Sequence, residues 1–196
     1  MSNSKSPLYS VLAILVSLVV LAGGAAKLYR GASQLKESGS NSKVDELLAK
    51  SDSSADEANR QSAAIAPVFQ ELLGDFDKLG IQAFRSEKRE ACEKLSEQFA
   101  AVSEHLYESS RVLVEATKHG TNEKTTSFLL MRSKSHELLG KANTQNVDII
   151  RAILDESVVD VDVIVQKVQS IAESRDANEK AANEAAEEST AILKRS

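Results

Sequence analysis

The residues of this sequence best suited to chemistry are three histidines, His105, His119 and His136, which could ligate a metal or act as bases. A di-iron helical bundle uses Glu-x-x-His pairs from two helices. The residues three positions before these histidines are Val102, Ala116 and Ser133, so no such pair exists. We therefore predict solvated or helix-capping histidines, no metal ligand and no cofactor.

The other chemical groups do not form a recognisable catalytic set. Cys92 is the single cysteine and falls in an apolar heptad pattern, which predicts a buried side chain in a helix seam; an intermolecular Cys92–Cys92 bridge is the alternative. Nucleophile-elbow, zinc-protease and phosphate-loop motifs are absent from the sequence. Asp160 and Asp162 point to different faces of a helix and make no dyad. We predict no catalytic residue and a non-enzymatic protein.

The composition favours long helices and argues against nucleic acid as a partner. The 196 residues include only 8 Gly and 2 Pro, too few breakers for a sheet of many short strands. The net charge of −5 repels a phosphate backbone.

One uncharged, mostly aliphatic segment, Leu8–Ala26, predicts a transmembrane helix of the signal-anchor type after a short tail, residues 1–7. Through it the chain would bind the lipid bilayer. The alternative is a cleavable signal peptide, because Lys5 supplies a basic start and Gly24-x-Ala26 is a cleavage-type pair. The apolar run exceeds the usual 7–15 residues of such peptides, which favours the anchor.

We predict a single-pass membrane protein whose soluble domain lies outside the cytoplasm, in the periplasm if the source is bacterial. If the segment is cleaved, the protein would be secreted. Lys27, Arg30 and Lys36 follow the span and favour the opposite, cytoplasmic orientation by the positive-inside rule. That alternative stays open at this stage.

After a linker, residues 27–42, the pattern predicts an all-α domain over residues 43–196. Its helices are expected at about 43–79, kinked at Pro67, and at 86–118, 122–154 and 157–194. The first helix carries an apolar and small-residue stripe at Val44, Leu48, Ser51, Ala55, Ala58, Ser62, Ile65, Phe69, Leu72, Phe76 and Leu79. The second carries one at Cys92, Leu95, Phe99, Val102, Leu106, Ser109, Leu113 and Ala116. The third is less regular, at Phe128, Met131, Ser135, Leu138, Ala142, Gln145, Ile149 and Ala152.

The passage from Val158 to Val165 is ambiguous, because its β-branched residues alternate as in a strand and also share one helical face. A lone strand would leave its backbone groups unpaired, so we predict helix.

Four long helices with short connections predict an antiparallel four-helix bundle with coiled-coil-like seams; an open, oligomerising coiled coil is the alternative. An even helix count returns the C-terminus to the end that holds residue 43. This would bring Lys194 and Arg195 near headgroups, with Ile192 and Leu193 at the membrane interface, unless the end is frayed and solvated.

The functional expectation is a membrane-anchored helical bundle that acts by protein–protein interaction, as scaffold, spacer or assembly partner, through a protein partner or as a homo-oligomer. The alternative is an extracytoplasmic sensor that binds a small ligand between helices and signals through a partner. In layout the chain resembles the extracytoplasmic bundles of chemoreceptors and sensor kinases. The resemblance rests on no motif, and the chain lacks their second span and signalling region.

Overall fold

The computed structural model describes residues 41–194, apart from the side chains of residues 66, 70, 73 and 77. The predicted span Leu8–Ala26 and nearly all of the predicted linker lie outside the described residues. Within the described range, no helix combines the length and the apolar character that crossing a bilayer requires.

The described chain forms three continuous helical segments, α1 (Ser42–Thr117), α2 (Glu123–Leu154) and α3 (Val161–Lys194). Inside α1 only Gly80 has non-helical backbone angles, φ 72° and ψ 167°. There the helix folds back on itself. The rings of Phe76 and Phe84 meet edge to face at 4.9 Å, and Lys88 pairs with Asp75 at 2.6 Å. Hence α1 supplies two antiparallel arms, residues 42–79 and 81–117.

Each following helix runs antiparallel to the one before it. Ser110 of the second arm bonds Ser133 of α2, and Ser103 bonds the Gly140 carbonyl one level further along. Gln145 of α2 bonds Ser174 of α3. The structure is therefore a four-helix bundle, as predicted.

The end of α3 returns to the start of α1. Ile192 and Leu193 are partly buried against an apolar cluster that contains Val44, so the predicted return of the C-terminal residues holds. Both side chains pack against the protein's own core and are only partly buried, and their predicted contact with a membrane interface stays a prediction. We call this end of the bundle proximal and the Gly80 end distal.

Two helix boundaries differ from the prediction by several residues. The second arm starts at Ile81 instead of Ser86, because Gly80 reverses the chain without a loop. The backbone keeps helical angles through Pro67, so the helix is not interrupted there, and the predicted kink stays a prediction. Helix α3 starts at Val161 instead of 157, since the Asp160 carboxylate accepts a hydrogen bond from the Asp162 amide and caps the helix.

The predicted stripes form most of the core. The stripe of the first arm is buried except for Ser62 and Leu79, and the stripe of the second arm is buried throughout. Buried apolar side chains form a large distal cluster around Phe76, Leu95 and Ile153 and a smaller proximal cluster around Leu113 and Phe128. Between the clusters, several core positions are polar.

The backbone of Gly80 yields a direct test of the hairpin. A Cβ at Gly80 would meet no atom within 4 Å, so Gly80→Ala acts only through its positive φ. We expect the free energy of unfolding to fall by about 1–3 kcal/mol, because this conformation is nearly restricted to glycine. Urea unfolding measures the change.

Gly74→Ala is the matched control, since Gly74 is exposed, helical and equally free of contacts. It should raise the free energy of unfolding by about 0.5–1 kcal/mol. Equal effects of the two substitutions would contradict the hairpin.

Candidate functional site

The strongest concentration of polar chemistry is a group of side chains between the two apolar clusters, which we call the polar layer. Both arms of α1 and one face of α2 contribute to it. Its members are Ser51, Asp52, Ser109, Arg132, Ser135 and His136.

Ser109 lies at the centre of a hydrogen-bond network in this layer. Its Oγ lies 2.7 Å from Ser51 Oγ, 3.0 Å from the Ser51 carbonyl and 2.7 Å from His136 Nδ1. The hydroxyl has one hydrogen, which it donates to the carbonyl. The other two contacts are satisfied when Ser51 Oγ–H and His136 Nδ1–H donate to Ser109. All three contacts are hydrogen bonds at once only in the imidazole tautomer that carries its proton on Nδ1.

His136 is fully buried, and burial is the main reason that its pKa falls from 6.5 to about 3; the positive charge of Arg132 lowers it further. The imidazole is therefore neutral near pH 7. A serine beside a histidine resembles a nucleophile–base pair. Ser109 and His136 have no exposed surface, however, so no substrate reaches this pair in the folded bundle.

A buried ion pair adjoins the network. Arg132 Nη2 lies 2.5 Å from Asp52 Oδ1, and the Arg132 side chain is only 3% exposed. Burial raises the pKa of Asp52, and Arg132 partly offsets this. The guanidinium carbon of Arg132 lies 6.0 Å from the centroid of the Phe128 ring, one turn earlier in α2.

A second charged group lies further toward the distal end on α3. Arg175 is fully buried and bonds the Asp176 carboxylate through Nε at 2.9 Å, while Glu179 Oε1 lies 3.5 Å from the same nitrogen. Burial raises the pKa of Glu179 to about 7. The charge of Arg175 lowers this pKa and that of Asp176 raises it, so Arg175 offsets the burial only in part.

The two shifted groups predict opposite pH dependences. The pKa of His136 is lower in the folded state, so its stabilising contribution is present above pH 6.5 and is lost as the pH falls toward 3. The pKa of Glu179 is higher in the folded state, so its contribution is present below pH 4.5 and is lost as the pH rises through 7. Lowering the pH from 8 to 5 therefore decreases the free energy of unfolding by about 2 kcal/mol through His136. The same change of pH increases it by about 2 kcal/mol through Glu179.

Two variants separate the contribution of His136 from that of Glu179. In Glu179→Gln, lowering the pH from 8 to 5 should decrease stability, because the contribution of His136 is no longer opposed by that of Glu179. In His136→Gln the same change of pH should increase stability. Urea unfolding at pH 8 and at pH 5 measures the change in the free energy of unfolding for each variant. The same change in both variants would contradict the opposite contributions of His136 and Glu179.

Shallow grooves lie on the described surface, and the distal groove is one of them. The distal groove, of about 810 Å³, crosses α2 between the second arm and α3. Charged side chains of both signs line much of it: Arg89, Glu93, Glu97, Asp148, Arg151, Asp155 and Lys167. A second groove, of about 430 Å³, lies beside Tyr107, Arg111 and Val114.

The sequence-predicted candidates are not brought together. His105 is partly buried and lies 3.2 Å from Gln61 through their Nε2 atoms, and His119 sits in the turn after α1, where its carbonyl accepts a bond from Asn41. The prediction of a solvated or capping His136 is wrong. Within residues 41–194, no three histidine, cysteine or acidic side chains are grouped as a metal site would require.

Cys92 occupies the predicted seam and is 4% exposed. Burial raises the pKa of its thiol to about 11. Its neighbours Phe69, Leu95 and Ile153 enclose an apolar cavity of only about 20 Å³. The alternative of an intermolecular disulfide is therefore not supported by the folded bundle.

Arg132 and His136 were not predicted as core residues because the apolar stripe predicted for α2 runs along a neighbouring face of the helix. Met131, Leu138 and Gln145 are only partly buried, whereas Arg132, His136 and Asn146 face the core. The available signal was the spacing of Phe128, Arg132 and Ser135, which follows the heptad rule once polar residues are admitted to it.

No protein-family model matches this chain, and no curated protein or solved structure shows significant similarity to it.

Proposed function

We propose that this protein is a membrane-anchored, non-enzymatic helical bundle that acts by binding a protein partner at its distal end. The carrying observation is the arrangement of the two ends. Residue 41, which follows the proposed anchor, and residues 192–193 lie at the proximal end. The first arm places the distal end about 55 Å away at 1.5 Å per residue.

The distal end offers a surface suited to a protein partner. Val159 is 71% exposed and Val163 is 47% exposed. The distal groove, with charges of both signs, lies at the same end of the bundle. Apolar side chains next to paired charges are features of a specific but reversible protein interface. We call the groove and the two valines the distal surface.

Site-specific photo-cross-linking in native membranes tests the proposal. A photoreactive residue replacing Val159 in the full-length chain should give a discrete protein adduct. The same residue at Glu188, an exposed position in the proximal half of α3, is the control. Adding Val163→Asp should abolish the adduct. Equal labelling from both positions, or no adduct from Val159, would contradict a distal partner.

The anchor needs a separate test. Full-length chain should stay with membranes at high pH and high salt and leave them only in detergent, because a span of about 20 apolar residues inserts stably. Release of the intact chain without detergent would refute the anchor and leave the distal partner to be judged by cross-linking alone.

The sensor hypothesis would use the distal groove, whose charged side chains of both signs could contact a small charged ligand. It predicts thermal stabilisation of the full-length chain by a small charged ligand. If the distal surface binds a protein partner, that protein should stabilise the chain instead.

A further inference from the structure

Arg132, Ser135 and His136 form one buried face of α2. Ser135 and His136 follow Arg132 by three and four residues, so each of them is a neighbour of Arg132 on the helix surface. Arg132 is 3% exposed, and Ser135 and His136 are 0% exposed. Whatever satisfies their polar atoms must therefore lie inside the bundle.

Several polar atoms on this face have no hydrogen-bond partner among the described residues. Arg132 uses Nη2 to reach Asp52, but its Nε and Nη1 have no such partner. The same holds for Ser135 Oγ and His136 Nε2. Buried polar groups are almost always hydrogen-bonded, because leaving one unsatisfied forfeits its interactions with water.

The opposing helix offers little to these atoms. The bonds from Gln145 to Ser174 and Asn178 set the register between α2 and α3. Continuing that register places the buried residues Ala182 and Ala185 at the height of His136. Alanine methyl groups neither donate nor accept hydrogen bonds. Ser189, one turn beyond, already donates to the Ala186 carbonyl of its own helix.

The chemistry of the face specifies what it can bind. Arg132 Nε and Nη1 and the Ser135 hydroxyl are donors. When all three contacts of Ser109 Oγ are hydrogen bonds, the imidazole proton is on Nδ1 and His136 Nε2 is an acceptor. The bound species must therefore both accept and donate. An anion without a proton, such as chloride, cannot donate to Nε2. Because the Arg132–Asp52 pair is already neutral as a unit, any anion would also add an uncompensated buried charge.

We propose that Arg132, Ser135 and His136 form an internal binding site for water, in which the water accepts from Arg132 and Ser135 and donates to His136 Nε2. Internal waters typically make about three hydrogen bonds to buried polar groups, which this face supplies.

NMR of the full-length chain in detergent micelles tests the site. With ¹⁵N-labelled histidine, the His136 ring should show a protonated Nδ1 and an unprotonated Nε2. Its carbon-bound ring protons should show cross-relaxation with a long-lived water. His119, whose side chain is 39% exposed, is the internal control and should contact only rapidly exchanging water.

Two serine variants sharpen the test. Ser135→Ala removes one ligand and should shorten the residence time of the water about fivefold, the equivalent of one hydrogen bond. Ser133→Ala is the matched control, because Ser133 is buried on the same helix but bonds Ser110, and it should leave the residence time unchanged.

Three results would overturn the proposal. They are a His136 ring protonated on Nε2, the absence of a long-lived water at that ring, and a saturable shift of the His136 signals on titration with chloride or phosphate. The last would identify the site as an anion site. Failure of Ser135→Ala to fold would leave the tautomer and the wild-type water signal to decide.

Discussion

Phe76→Ala is expected to lower the free energy of unfolding by about 3–5 kcal/mol, the usual cost of removing a buried aromatic ring from a core. Phe76 is 1% exposed and packs edge to face on Phe84 across the hairpin. The substitution removes apolar contacts from both arms of α1 at the point where the chain reverses. The distal surface would then lose its support.

Urea unfolding of the full-length chain followed by circular dichroism measures this loss. Val159→Ala is the control at the same end of the bundle, because Val159 is largely exposed; its effect should stay within about 0.5 kcal/mol. A loss below about 1 kcal/mol for Phe76→Ala would show that the distal cluster does not pack as described.

Asp52→Ala is expected to lower the free energy of unfolding by about 3 kcal/mol. The substitution removes the carboxylate 2.5 Å from Arg132 and leaves a guanidinium charge inside the bundle. Breaking a buried ion pair on one side is costly mainly because the remaining charge is uncompensated. We choose the lower end of the usual range because the Asp52 side chain is 26% exposed.

The combined variant Asp52→Ala, Arg132→Met separates charge burial from packing. Methionine keeps much of the arginine volume and carries no charge, so the double variant should recover most of the lost stability. The same unfolding experiment measures it. If the double variant is no more stable than Asp52→Ala, the loss arises from packing, and the ion pair does not have the proposed role.

The apolar stripes of α1 were predictable because helical spacing alone determines which side chains share a face. Every stripe residue from Val44 to Leu79 is buried or partly buried, and all those from Cys92 to Ala116 are buried. The packing of these faces against one another also follows, since water excludes them whichever helix lies opposite.

The helix ends were less predictable because they depend on single residues. Ser86 looked like a helix cap, but its hydroxyl bonds the Ala83 carbonyl within a helix that already runs past it. The hairpin depends on one glycine at positive φ, which needs no loop. Likewise, Asp160 caps α3, which starts four residues later than the apolar pattern implied.

The sequence alone therefore determined an all-α bundle, its helix number and most of its apolar core, because these follow from local periodicity and the exclusion of water. Only the tertiary structure decided that His136 and Arg132 lie inside and that Arg132 pairs with Asp52. Those outcomes depend on which residues of three other helices stand opposite one position of α2. The contacts join residues up to 80 positions apart, and no local pattern encodes them.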